Sequence, residues 1–183
     1  MDKELKIYFE RGCNAILITS KYVLNNCNIR SSSDICHDFT SCNANINNEV
    51  EKIFKSYLSP MRVPIFNANL YNDTSIKKEL HYWVINPSSN LTRTINRKQD
   101  FSISLVLMYN QNILLSIVSV PLEDKLYFEY SDKGVFVIED CRKKQYNLTA
   151  EYLLNTAKFI PAGDLDSSQI KEIKHPNTHY WIG

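Results

Sequence analysis

Hydrophobic residues in the first sixty positions recur at steps of three and four, which is the spacing of an amphipathic helix. From Glu4 to about Leu24 the apolar face comprises Leu5, Tyr8, Phe9, Ile16, Leu17 and Val23. Polar capping residues at Thr40 to Asn43 and a stop at Pro60 bound a second helix. Its apolar face comprises Ile46, Val50, Ile53, Phe54, Tyr57 and Leu58. The pattern predicts two helices joined by a polar loop over residues 25–40.

Shorter apolar runs follow and predict strands. The first two are Val63 to Phe66 and Tyr82 to Ile85, separated by a polar loop. Four runs rich in β-branched and aromatic residues come next, at Phe101 to Met108, Asn112 to Val120, Leu126 to Tyr130 and Val135 to Ile138. The breaks between them are short, which favours an antiparallel meander. Thr149 to Phe159 then reads as a helix capped by Thr149.

Composition narrows the class of protein. A chain of 183 residues with 44% hydrophobic residues closes a sizeable core, so we expect one domain over 1–183. Its net charge of +1 argues against nucleic acid or a membrane surface as a partner. No apolar stretch has the length of a signal peptide or membrane span, which favours a cytoplasmic protein. Five cysteines without a CxxC pair fit reduced thiols.

Three motifs carry a family resemblance. The strand Tyr82-Trp83-Val84-Ile85 runs directly into Asn86-Pro87-Ser88-Ser89-Asn90-Leu91, and a strand beginning at Phe101 follows. This order resembles the inositol monophosphatase superfamily, in which Tyr-Trp-hydrophobic-hydrophobic runs into Asp-Pro-Leu/Ile-Asp-Gly-Thr. It is most similar to the branch that hydrolyses 3'-phosphoadenosine 5'-phosphate. Upstream, Thr40 to Asn43 falls on the family's Thr-x-x-Asp motif, and Pro64 to Asn69 on its Pro-hydrophobic-hydrophobic-Ser/Gly-Glu-Glu motif.

The resemblance implies an α/β layered fold, with residues 1–140 matching the family's N-terminal half and 141–183 a shortened remnant of its second half. It also implies two or three Mg²⁺ ions held by carboxylates, which activate water and stabilise the leaving oxygen. Every acidic position that aligns is neutral here: Asn43, Ala68, Asn86, Ser89 and, in the terminal segment, Ile182. Leu91 replaces the threonine that positions the attacking water. Amide or hydroxyl ligands lack the charge that offsets Mg²⁺ dehydration, so no metal cofactor is expected.

Two functions remain open at this point. The first is a catalytically inactive relative that binds a phosphate-bearing small molecule or a protein partner, with a homodimer as one form of partnership. The alternative is a divergent Mg²⁺-dependent 3'(2'),5'-bisphosphate nucleotidase or inositol phosphate phosphatase. A decaying gene product is a third reading, suggested by only 4 glycines and the shortened second half.

The stretch from Asn86 to Asn90 has a plainer interpretation, as a turn that caps a short helix. The functional counterpart is an anion site at that helix N-terminus, formed by Ser88, Ser89 and Asn90. Other candidates are weaker: a zinc site at His175 and His179, a triad without a Gly-x-Ser-x-Gly elbow, and basic runs at Arg93, Arg97 and Lys98 and at 142–144.

Overall fold

A computed structural model describes residues 3–26, 39–68, 80–89, 101–110, 112–130, 134–140 and 149–160. Within these ranges, the structure describes only the backbone of residues 39–45, 88, 89, 150, 159 and 160. The helices are α1 (Lys3–Asn26), α2 (Phe39–Leu58) and α3 (Ala150–Thr156). The strands are β1 (Ile65–Asn67), β2 (His81–Ser89), β3 (Ser102–Tyr109), β4 (Asn112–Val120), β5 (Lys125–Tyr130), β6 (Val135–Glu139) and β7 (Lys158–Ile160). This arrangement confirms the predicted α/β class.

Helix α1 is confirmed and lies directly against the sheet. Gly12 permits this close approach, because a Cβ atom there would lie 2.7 Å from Ile117 Cδ1 and 3.1 Å from Leu105 Cδ2. The glycine weakens the helix by about 1 kcal/mol relative to alanine, and the packing against the sheet offsets that cost. Farther along, the buried hydroxyl of Ser20 donates to Ser119 Oγ of β4 at 2.9 Å.

Helix α2 is also confirmed, but it begins earlier than the sequence suggested. The predicted capping residues, Thr40 to Asn43, lie inside its first two turns, because the helix starts at Phe39. Such residues cost only about 0.7 kcal/mol each in a helix interior, and the buried side chains of Val50 and Phe54 stabilise the whole element. The helix ends as expected at a 3₁₀ turn containing Pro60, after which Arg62 adopts a left-handed conformation with φ 55°.

The seven strands form one sheet in the order β1 to β7. Strands β1 and β2 are parallel, and every later neighbour is antiparallel, so the predicted meander is confirmed. The polar loop expected after β1 lies mostly in 69–79, outside the described residues, as does 27–38 of the loop between the helices.

Strand β2 corrects the prediction of a turn at Asn86. The strand continues to Ser89, and its register with β3 shifts between the pairs Asn86–Ser104 and Ser89–Ser102. Three steps along β2 oppose two along β3, which is a one-residue bulge. Pro87 has no N–H to donate to the ladder, and a bulge is one of the few positions in a sheet that tolerates proline.

The C-terminal helix was predicted too long. Thr149 caps α3 as expected, with its side chain accepting from the Tyr152 N–H at 3.2 Å. The helix stops at Thr156, however, and Ala157 is already extended. Residues 158–160 instead pair with β6 as the edge strand β7, because strand pairing satisfies backbone groups that a frayed helix end leaves open.

The two faces of the sheet are buried differently. One face packs against α1 and α2 around Trp83, Ile85 and Phe128, all at most 1% exposed. The opposite face, called here the rear face, has two smaller apolar clusters. The first of these, the rear cluster, consists of Ala68, Tyr82, Val84, Val106 and Met108.

Candidate functional site

Two of the motif positions are neighbours where β1 ends beside the bulge of β2. The last parallel pair joins Asn67 to Ile85, and Ala68 and Asn86 each follow one residue later. Adjacent strands lie about 4.8 Å apart, so these two positions are neighbours at the carboxyl edge. The backbone therefore brings together two positions that sequence reasoning placed in one site.

Ala68 is enclosed by apolar side chains. It is 5% exposed and belongs to the rear cluster, beside Val84 and Val106. Its methyl group offers no donor, acceptor or charge. The position at which the family resemblance places a metal-binding glutamate is therefore filled by hydrocarbon packing.

Asn86 lies at the bulge, opposite a buried serine. Ser104 of β3 pairs directly with Asn86 and is 4% exposed. Paired residues of this kind have Cβ atoms about 5 Å apart, so a neutral amide and a neutral hydroxyl share this edge. Ser89 follows in β2 opposite Ser102. The side chains of Ser88 and Ser89, and all of Asn90 and Leu91, lie outside the described residues.

Helix α2 is fixed to the same edge by a polar contact. Asn67 Nδ2 donates to Glu51 Oε1 at 2.6 Å, and Lys55 lies 3.7 Å from the other carboxylate oxygen. Asn43 lies eight residues before Glu51, or about 12 Å along the helix axis. The backbone at Asn43 is therefore separated by that distance from the contact between Glu51 and Asn67.

Sequence reasoning missed Ser104 and Glu51. A signal for Ser104 exists, because Ser102 and Ser104 alternate with apolar residues at the start of β3 and so share the rear face. No sequence signal identifies Glu51, since a charge on a helix usually faces solvent. Only the contact with Asn67 distinguishes it.

The weaker candidates lie outside the part of the chain that the structure describes, so they stay predictions. The candidates outside the described ranges are His175, His179, Ile182, the basic run at Arg93 to Lys98 and residues 142–144. Within those ranges no three His, Cys, Asp or Glu side chains approach one another closely enough to hold a metal ion. Cys13 is a buried cysteine in the reduced form. In the described part of the chain, no helix is both long and apolar enough to cross a membrane.

Comparison with known proteins finds similarity both in sequence and in structure. The chain is 30% identical over 78 residues to the 3'(2'),5'-bisphosphate nucleotidase CysQ of Haemophilus influenzae, a match that spans 43% of this chain and 27% of that protein. The crystal structure of CysQ from Bacteroides thetaiotaomicron, a bacterial member of the inositol monophosphatase family, superposes with a TM-score of 0.69 at 16% identity. That superposition covers 86% of this chain and 58% of the other.

The chain has the inositol monophosphatase fold. An IMPase/NADP phosphatase in complex with NADP and Ca²⁺ superposes with a TM-score of 0.59 at 16% identity, over 75% of this chain and 50% of the other. The predicted resemblance to the inositol monophosphatase family is thus confirmed, although no family model matches the chain. The chain spans little more than half the length of the CysQ structure from Bacteroides thetaiotaomicron.

Proposed function

We propose that this chain is a non-catalytic relative of the inositol monophosphatases that binds a phosphate-bearing small molecule without a divalent metal ion. The proposal assigns the ligand to the carboxyl edge of β1 and β2, where Asn86 and Ser104 present neutral polar groups. Ser88, Ser89 and Asn90 are the candidates for contact with the anion, because backbone N–H groups and hydroxyls bind phosphate without a cation.

The environment of Ala68 is the observation that supports this proposal most. A family enzyme needs a carboxylate at this position, whereas this chain has a methyl group that is 5% exposed within an apolar cluster. An isolated charge in such surroundings carries a desolvation penalty of several kcal/mol. The local packing has therefore adapted to the absence of the charge.

The described residues do not fit the Mg²⁺ site that the family implies. Mg²⁺ prefers anionic oxygen ligands in near-octahedral geometry, and Ala68 and Asn86 offer none. Glu51 is a carboxylate that contacts this edge, and it already accepts from Asn67 and lies 3.7 Å from Lys55 Nζ. No reaction step is assigned to a metal ion here.

Thermal unfolding with added ligands tests the proposal. The probes are 3'-phosphoadenosine 5'-phosphate and inositol 1-phosphate, each with Mg²⁺ and with a chelator, while phosphate release is followed in the same samples. A ligand at 100 times its dissociation constant stabilises the folded state by about 2.7 kcal/mol. We expect this stabilisation in the presence of the chelator, without release of phosphate. Stabilisation that requires Mg²⁺ and is accompanied by release would refute the proposal.

The alternative, a divergent Mg²⁺-dependent phosphatase, rests on the fold shared with family enzymes. Ser89→Asp separates the two functions, because Ser89 stands where the resemblance places a metal-binding aspartate. The added charge should weaken metal-free phosphate binding in a non-catalytic protein, whereas in an enzyme it should strengthen the Mg²⁺ response. Ser89→Asn is the matched neutral control. If the chain responds to no ligand, a protein partner becomes the better hypothesis.

A further inference from the structure

A histidine lies between two tyrosines at the opposite end of β2 from the candidate site. His81 opens β2 and pairs with Tyr109, the last residue of β3. Its ring centroid lies 5.3 Å from that of Tyr8 on α1 and 5.9 Å from that of Tyr109, with an interplanar angle of 85° to each. A neutral imidazole packed edge-to-face in this way joins the start of α1 to the sheet.

The polar atoms of this contact favour the neutral form of the imidazole. The Nε2 atom of His81 is buried and has no hydrogen-bond partner. Burial lowers the pKa of His81, and the charge of Glu4 opposes that shift. The Glu4 carboxylate, however, already accepts from the Tyr8 hydroxyl at 2.7 Å. Burial and this hydrogen bond raise the pKa of Tyr8 to about 12, so its hydroxyl stays a donor throughout the neutral and acidic range.

We propose that His81 is an acid-sensitive latch, and that its protonation loosens the first two turns of α1 from the sheet. The titratable side chains around it in the described structure are Glu4 and Tyr8 on α1 and Tyr109 on β3. A protonated imidazole places a second N–H donor at the buried Nε2, where no acceptor lies. Glu4 is the nearby anion whose charge favours the protonated form.

The sign of the pH dependence follows from the direction of the shift. Because folding favours neutral His81, the contribution of the latch is complete above the unfolded pKa of about 6.5. It decreases as the pH falls below that value, toward the folded pKa. The window from pH 7.5 to 5 spans the unfolded pKa of histidine, about 6.5.

Amide hydrogen exchange resolved by residue is the experiment. The amides of residues 7–10 donate to carbonyls in the first turn of α1 and report its opening. After correction for the intrinsic pH dependence of exchange, we expect opening at these amides to increase about threefold or more between pH 7.5 and 5. Amides in β3 and β4 serve as the internal reference and should not change.

Two variants distinguish the latch from a general loss of stability. His81→Phe keeps a flat ring between the tyrosines and cannot be protonated, so opening should become independent of pH. Glu4→Gln keeps an acceptor for Tyr8 and removes the nearby charge, so the transition should move to lower pH. The proposal is overturned if opening in the wild type does not depend on pH. It is equally overturned if His81→Phe retains the same dependence.

Discussion

Placing a carboxylate at Ala68 tests directly whether the apolar packing there excludes the metal ligand that the family resemblance implies. Ala68→Glu places a charged side chain at a position that is 5% exposed and surrounded by the apolar rear cluster. Ala68→Gln is the matched control, because it adds nearly the same volume without the charge. Both variants overpack the cluster, which costs about 1–3 kcal/mol, and the difference between them isolates the charge.

The magnitude of that difference follows from desolvation. Full burial raises the pKa of a carboxyl by up to about 3–5 units. Each unit corresponds to about 1.36 kcal/mol. We therefore expect Ala68→Glu to have a free energy of unfolding about 2–4 kcal/mol below that of Ala68→Gln at pH 7. This desolvation penalty exists only at pH values at which the carboxyl is ionised in the unfolded state. The stability difference between the two variants should therefore disappear as the pH falls toward about 4.

Urea denaturation of the two variants, at pH 7 and near pH 4.5, measures the effect. Equal stability of the two variants at pH 7 would show that the position is hydrated or holds a counter-charge, and would refute the apolar assignment. Millimolar Mg²⁺ is a second arm of the assay. If Mg²⁺ restored Ala68→Glu to the stability of Ala68→Gln, enough ligands for a metal would remain, and the enzyme alternative would gain support.

Three further substitutions test packing and capping by the same denaturation assay. Gly12→Val should lower the free energy of unfolding by about 2 kcal/mol or more, because even a Cβ atom there lies 2.7 Å from Ile117 Cδ1. Glu51→Ala should lower the free energy of unfolding by about 1 kcal/mol, because it removes the acceptor of Asn67. Glu51→Gln keeps an acceptor oxygen and should retain most of the stability. Thr149→Ala should cost about 1 kcal/mol through loss of the α3 cap; unchanged stability in any of the three would contradict the assigned contact.

The sequence predicted those elements whose apolar residues recur at the spacing of the face that the element buries. The two long helices and the meander follow from apolar spacing, because each element buries one continuous face. The bulge at Asn86 and Pro87 was not predictable in this way. An Asn-Pro pair is typical of a turn when read locally, and only pairing with Ser104 and Ser102 of β3 keeps the backbone extended.

The candidate site was predictable only through the family resemblance. Nothing in the spacing of Ala68 and Asn86 indicates that they lie close together, since these two positions become neighbours only through the parallel register of β1 and β2. Strand β7 was missed for a similar reason. Three residues carry no periodicity, and their extended conformation depends on the open edge of β6.

The neutral motif positions also bear on how the stability of the fold should depend on metal ions. Carboxylates that converge on one site repel one another unless a cation neutralises them, and functional sites commonly reduce stability in this way. In this chain Ala68 contributes packing where the family resemblance places a charge, and Asn86 retains polarity without repulsion. Under the proposed function, neutral groups in place of charged ligands remove a source of instability that Mg²⁺ would otherwise offset. It follows that the folded state should be as stable in chelator as in Mg²⁺, a property that a family enzyme with its full set of carboxylates would not share.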